Sequence, residues 1–277
     1  MTLMLYIVNI ADIFFNKLYY MRYLLLCLLL LPSFLLLAQK KGKQEFYLVK
    51  VYHCVNQKQI DHVEEHVGKQ VVPFLKKHKV PTIGVFLPIA NDTAVDKKLM
   101  VWLPLSNLEQ LGTIENAFGA IDPFGADPLI HLDSFQNNSP YTRIESMLAS
   151  AFKLHPQHSS KRTFQKSPDN IFEFRSYESS TEDLHLRKVH MFNEGGEIDL
   201  FNRLNFNAVF YGRVVVGARM PNLIYMTSFK DMADRNQHWN TFRDDPQWKQ
   251  LSPMPKYAST VSRNETILMK PSKYSEL

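Results

Sequence analysis

Residues 187–229 read RKVHMFNEGGEIDLFNRLNFNAVFYGRVVVGARMPNLIYMTSF, two adjacent glycines in an apolar-periodic stretch followed by two alternating runs. The runs at 207–217 and 222–229 are rich in β-branched and aromatic residues and predict strands. The segment before them, 181–204, predicts an amphipathic helix. Gly195 and Gly196 fall inside it, where each costs about 1 kcal/mol relative to alanine. Such a pair implies that a strand, a second helix or a ligand comes too close for a side chain.

Outward from this stretch, IFEFRSYE at 171–178 reads as a strand, 231–243 as a second helix and ETILMKP at 265–271 as a closing strand. An earlier part of the chain repeats the order. EFYLVKVYH at 45–53 is a strand, 58–78 a helix, and 82–89 and 98–105 are strands. A helix then opens at Ser106-Asn107 with Glu109 close behind as a cap. For 141–152, strand and helix fit nearly equally. Lys50 and Tyr52 stand where Arg175 and Tyr177 stand in the later copy, and an internal repeat is the economical reading. Each unit is β-α-β-β-α-β, so the expected fold class is α+β, with two tandem ferredoxin-like units packed sheet to sheet. The expected boundaries are 45–154 for the first unit, 155–169 for a polar linker carrying Pro156 and Pro168, and 170–277 for the second.

Met21-Arg22-Tyr23 followed by a leucine-rich run to Ala38 predicts a signal peptide over 1–38, with Met21 reading as the start. The same run is long enough to serve as an uncleaved anchor, the one route to a membrane. The expected localisation is export, periplasmic or extracellular. Removing 1–38 takes away Asp12, Lys17 and Arg22, so the formal charge falls from +5 by one unit. That balance, without a basic stripe interleaved with aromatics, does not imply nucleic acid. Cys27 lies in the leader, leaving Cys54 alone and no intrachain disulfide in a processed chain. A buried structural role is the commoner one for such a cysteine.

RKVHMFNEGGEIDLFNRLNFNAVFYG, with GARMPNLIYMTSF and the later DDPQWKQL, resembles the NIPSNAP family. The resemblance is specific over 171–277, weaker over 45–105, and departs most between Gly112 and Phe152. It implies a dimeric α/β-barrel fold, related to small monooxygenases, haem-degrading enzymes and chlorite dismutases, and a homodimer. It implies no particular reaction, since fold analogy is a weak warrant for mechanism.

Alternation on 171–178 separates Phe172, Phe174 and Ser176 from Glu173, Arg175 and Tyr177. The phenylalanines are expected under the helices, and Glu173, Arg175 and Tyr177 in a wet cavity between the sheets, where Leu48, Lys50 and Tyr52 converge. The competing reading is a structural Arg175–Glu173 network without a ligand. Arg219, Asn222, Tyr211 and Tyr225 join Arg175 and Tyr177 as candidate ligand contacts. Glu194 and Glu197, flanking the glycines, are candidate proton acceptors, against the alternative of a solvated helix face. Trp239, Phe242 and Trp248 read as packing groups, with Trp248 over one end of the barrel.

His62-Val63-Glu64-Glu65-His66 satisfies H-x-x-E-H, but a five-residue match in a chain with ten histidines lacks a third ligand. No metal and no cofactor are expected. The leading function is an exported protein that binds a small organic molecule in its barrel cavity, with cofactor-independent oxygenase or isomerase-like activity. The alternative is a noncatalytic structural or protein-interaction module.

Overall fold

The computed structural model describes residues 43–119 and 139–277, and the expected leader lies outside them. The first four strands are β1 (Phe46–Cys54), β2 (Gly84–Pro88), β3 (Lys97–Leu105) and β4 (Arg143–Ala151). The next four are β5 (Ile171–Glu178), β6 (Ala208–Val216), β7 (Asn222–Phe229) and β8 (Arg263–Pro271). They close into an antiparallel barrel in the order β1-β3-β2-β8-β5-β7-β6-β4. The two sets of four join along their edges, through β2–β8 on one side and β4–β6 on the other. Closure removes every free strand edge from the sheet. The ambiguous 141–152 segment is therefore a strand. Its residues find partners on β1 and β6, which a helix there would leave unpaired.

Helices α1 (Gln57–His66), α2 (Val72–Lys77) and α3 (Glu109–Gly119) belong to the first half; α4 (Glu182–Asn193), α5 (Glu197–Arg203), α6 (Met232–Asp244) and α7 (Pro246–Leu251) belong to the second. A π-helical turn, Val67–Val71, joins α1 to α2, just before Pro73, whose missing N–H cannot continue the α ladder. Among the described residues no helix is long and apolar enough to cross a membrane.

The barrel interior is apolar. Tyr47, Val49, Phe86, Trp102, Phe172, Phe174, Phe210 and Met226 are buried there together. The outward face of β1, with Leu48 and Tyr52, packs instead with Ile60, Val63 and Val67 of the first helical layer. Tyr211, Leu223 and Tyr225 do the same with Phe192, Phe201 and Trp239 in the second half. This reverses the expected assignment of β5. Phe172 and Phe174 point inward, and Glu173, Arg175 and Tyr177 point outward beneath helices, as Lys50 does in the first half. A closed barrel of this size fills its centre with side chains, here mostly aromatic and aliphatic ones, and a carboxylate or guanidinium there would be costly to bury. Trp248 packs in the helical layer, its ring 4.4 Å from Phe242.

The expected single helix over 181–204 is two. The Gly195 N–H donates back to the His190 carbonyl at 2.8 Å, and Gly196 has φ +90°, which starts α5 from the left-handed region. A Cβ on Gly195 would lie 2.5 Å from the Met191 carbonyl oxygen and 2.9 Å from the Tyr257 hydroxyl. Close approach is thus one cause and a chain reversal the other. Gly196→Ala is expected to cost about 1–2 kcal/mol through its left-handed φ, read as a lower urea midpoint at an unchanged slope.

The segment 155–169 has no helix or strand yet is tied to both halves. The Glu45 N–H donates to the Pro156 carbonyl at 2.9 Å, and the Ser159 N–H to that of Val209 at 2.8 Å. The C-terminal residues cross back to the first half, where the Ser272 hydroxyl donates to Glu64 at 2.6 Å and that of Tyr274 to Glu65 at 2.9 Å. Both carboxylates of the H-x-x-E-H motif are engaged in this way. Among the described residues no group of three or more His, Cys, Asp and Glu could hold a metal ion.

Candidate functional site

Strands β5, β7 and β6 turn a row of polar and phenolic groups toward α4, α5 and α6. Glu173 is fully buried and accepts four hydrogen bonds: from Arg175 Nε at 2.6 Å, Arg235 Nε at 2.8 Å and Nη2 at 3.1 Å, and Trp239 Nε1 at 2.7 Å. Burial alone would raise this carboxyl, but the Arg235 hydrogen bond and the Arg175 charge outweigh it and hold it below the usual range. Arg175 lies over Trp239, its guanidinium carbon 3.9 Å from the ring centre.

From Arg175 the row continues. Its Nη1 donates to the Tyr177 hydroxyl at 2.9 Å, which shares a 3.0 Å hydrogen bond with the Tyr225 hydroxyl. Tyr211 stacks at 5.7 Å from Tyr225 with its hydroxyl buried and unpartnered. Over these phenols lies a buried ion pair, Lys188 Nζ to Glu197 Oε2 at 3.0 Å, with Lys188 on α4 and Glu197 opening α5. Burial raises the Glu197 carboxyl, with Lys188 and Arg175 opposing, and burial also pushes the Tyr211 and Tyr225 phenols well up. The helix break at Gly195-Gly196 sets Glu197 facing inward. In an unbroken helix its position would be turned differently relative to Lys188. The groups reach solvent through Arg175 and Arg235, whose side chains are 18% and 19% exposed.

Of the residues singled out from the sequence, Arg175, Tyr177, Tyr211, Tyr225 and Glu197 come together. The other three do not. Arg219 pairs with Glu265 on β8, Asn222 is buried with its Nδ2 donating to Ser176 at 2.8 Å, and Glu194 is exposed at the end of α4. Sequence reasoning missed Lys188, Arg235 and Trp239 as members of the cluster. For Lys188 a signal existed, since it precedes the glycine pair on the helix face shared with Met191 and Phe192. For Arg235 there was none, because its partner Glu173 lies 62 residues away.

His155, on the segment between the halves, stands edge-on to Tyr211 at 5.0 Å with Nε2 buried and unpartnered. Burial lowers its pKa from the ordinary 6.5, so the folded protein binds a proton there less readily than the unfolded chain. The sign follows: its stabilising contribution is complete above about 6.5 and is lost as pH falls from there through the folded value. A His155→Phe variant should flatten this limb of a melting-temperature profile between pH 7 and 5, leaving the wild type with the steeper acid loss. Glu197 acts oppositely, its contribution being greatest at low pH and lost as pH rises through its raised value.

The fold defines the class: a closed eight-stranded antiparallel barrel clothed in helices, with a buried acid–base row between sheet and helices. Within it, residues 172–276 match the model of the NIPSNAP family, over the part of the chain where the resemblance is specific. No curated protein matches the sequence. Among solved structures, one described as a "putative monooxygenase" from Lactobacillus acidophilus NCFM is similar with a TM-score of 0.52 at 9% identity, covering 82% of this chain and 94% of its own. An anthrone oxidase-like protein is similar with a TM-score of 0.50 at 10% identity, covering 83% and 92%. A NIPSNAP family protein from Agrobacterium tumefaciens str. C58 covers 39% of this chain and 98% of its own, at 19% identity and a TM-score of 0.35. At such identities the first two show a shared fold and nothing about chemistry.

Proposed function

We propose that this chain binds a small organic molecule between the outer face of β5–β7–β6 and helices α4 and α5, and acts on it by cofactor-independent oxygenase or isomerase-like chemistry. The observation that carries this reading is the buried Glu197 beside two buried phenols, one of which, Tyr211, has no hydrogen-bond partner. A carboxylate raised by burial is suited to take a proton from an acidic C–H or O–H. The anion so formed would lie beside the cations of Arg175 and Lys188, which favour negative charge in a dry site.

Native mass spectrometry of the full chain purified from its own host reports a bound molecule directly. Tyr211→Phe is expected to leave stability unchanged or raise it by about 1 kcal/mol, because it removes an unsatisfied buried hydroxyl, while losing the bound molecule. Retention at full occupancy overturns the site. The order of strands within each half supports reading the chain as tandem ferredoxin-like units, 45–154 and 170–277. Export and homodimer formation belong to the same proposal, tested by N-terminal sequencing of the secreted protein and by sedimentation. The barrel closes within one chain, so a dimer would pair outer surfaces and need not complete the sheet.

One observation favours the noncatalytic alternative for part of the cluster. Glu173 is fully engaged by Arg175, Arg235 and Trp239, which is what a structural network looks like. A ligand that binds Arg175→Lys as well as wild type would assign Arg175 to that network alone.

A further inference from the structure

At the end of the barrel where β1 and β5 begin, the segment 155–169 brings a guanidinium against the aromatic interior. Arg162 lies 5.7 Å over the Phe172 ring and 6.0 Å over that of Phe164, and Phe172 in turn is 4.8 Å from Phe86. Its Nη1 is buried with no hydrogen-bond partner, and among the described residues no carboxylate forms an ion pair with it. Burial lowers its pKa with no opposing contribution; on nearby Lys166 burial and then the Arg162 charge disfavour the proton, and Glu276 opposes them. Two cations thus share one side of a barrel mouth. The Lys166 ammonium donates to the Ser275 carbonyl at 2.5 Å, a neutral partner.

The same mouth holds a second unmet donor. Trp102, fully buried on β3, presents its indole N–H without a partner. Its ring lies 5.7 Å from His158 of the same closing segment and 5.4 Å from Phe210. Opposite Trp102 on β2 is Gly84, where a side chain would meet the Phe86 ring at 2.5 Å. An open groove of about 1000 Å³ borders the same segment at Thr163, Phe164 and Lys166, with Asp169 and Asp231 also in its lining; Arg162 and Trp102 are not part of it.

Arg162 is half-buried, with one Nη shut off from water and no counter-charge, which is costly, and buried donors are almost always satisfied. We propose that this end of the barrel is an oxyanion site that receives the carboxylate of a small organic acid on Arg162, with the Trp102 indole N–H as the second donor. The rings of Phe164, Phe172 and Phe86 favour an acid with an apolar body over a strongly hydrated inorganic anion, and guanidinium geometry suits a carboxylate. The site is distinct from the Glu197–Tyr211 cluster, which lies outside the sheet.

Benzoate is the probe, titrated up to tens of millimolar against the full chain labelled with ¹⁵N, with inorganic phosphate and chloride in parallel. The indole N–H signal absent from Trp102→Phe is expected to move with benzoate, and the affinity to fall roughly tenfold or more in Arg162→Gln. Arg162→Gln is also expected to melt no lower than wild type without benzoate, since it removes an unpaired charge. No movement of the Trp102 signal, movement that survives Arg162→Gln, or a response to phosphate without one to benzoate each overturns the assignment. A marked loss of stability in Arg162→Gln alone would show that the guanidinium is already satisfied, and overturns it too.

Discussion

Replacing Glu173 by alanine is expected to destabilise the protein by about 3–5 kcal/mol, the cost of breaking a buried ionic network from one side. The carboxylate is the common acceptor for Arg175, Arg235 and the Trp239 indole. Its loss strands two guanidiniums beneath a helical layer. Urea denaturation at neutral pH measures the effect, and a triple change of Glu173, Arg175 and Arg235 to apolar residues should recover much of it, because no charge is then left unpaired. The pH dependence carries its own signature. Glu173 is held below the usual carboxylate range when folded. Its contribution is therefore present above the unfolded value and is lost as pH falls through the folded one. The wild type should lose stability on acidification by a step that Glu173→Gln lacks.

Phe201→Ala is expected to cost about 3–5 kcal/mol as well, for a different reason: a cavity in a dense aromatic cluster. The Phe201 ring stands 4.7 Å from Phe206, 5.0 Å from Phe242, 5.9 Å from Tyr225 and 6.0 Å from Trp239. It is the packing centre that ties α5 to α6 and to the outer face of the sheet. Calorimetry would register a lower midpoint, whereas Phe201→Leu, which refills most of the volume, should lose less. Because Tyr225 and Tyr211 rest on the same ring, the alanine variant should also lose ligand binding at the proposed site. A variant that kept both stability and ligand would separate this cluster from the site.

Much of the architecture was legible from local pattern. Alternation on 171–178 and 222–229 predicts strands that the structure has with the same bounds, and the helices expected to open at 181 and 231 do so, with Thr181 and Asp231 as their side-chain caps. The helix over 181–204 was legible except for its break. The glycine pair reads from sequence as a close approach within one helix, and the left-handed backbone of Gly196, which ends that helix and starts another, is visible only in the fold. Cys54 was legible as structural. It is buried, and burial pushes its thiol up to about 11, so the reactive thiolate is scarce at neutral pH.

By itself the sequence determined which residues share a face. Period-two alternation obliges Glu173, Arg175 and Tyr177 to lie together and Phe172 and Phe174 to lie opposite them, whatever surrounds the strand. Only the tertiary structure decided which face is the inside. Strands β5 and β7 are covered on both sides, by the barrel interior within and by helices without, so burial gives little contrast there for a local pattern to record. The decision rests on partners distant along the chain. Arg235 and Trp239 reach Glu173 from α6, and Lys188 reaches Glu197 across the helix break. A polar face can be buried where such partners meet it, and for Glu173 they come from α6 and its own strand, outside the barrel interior.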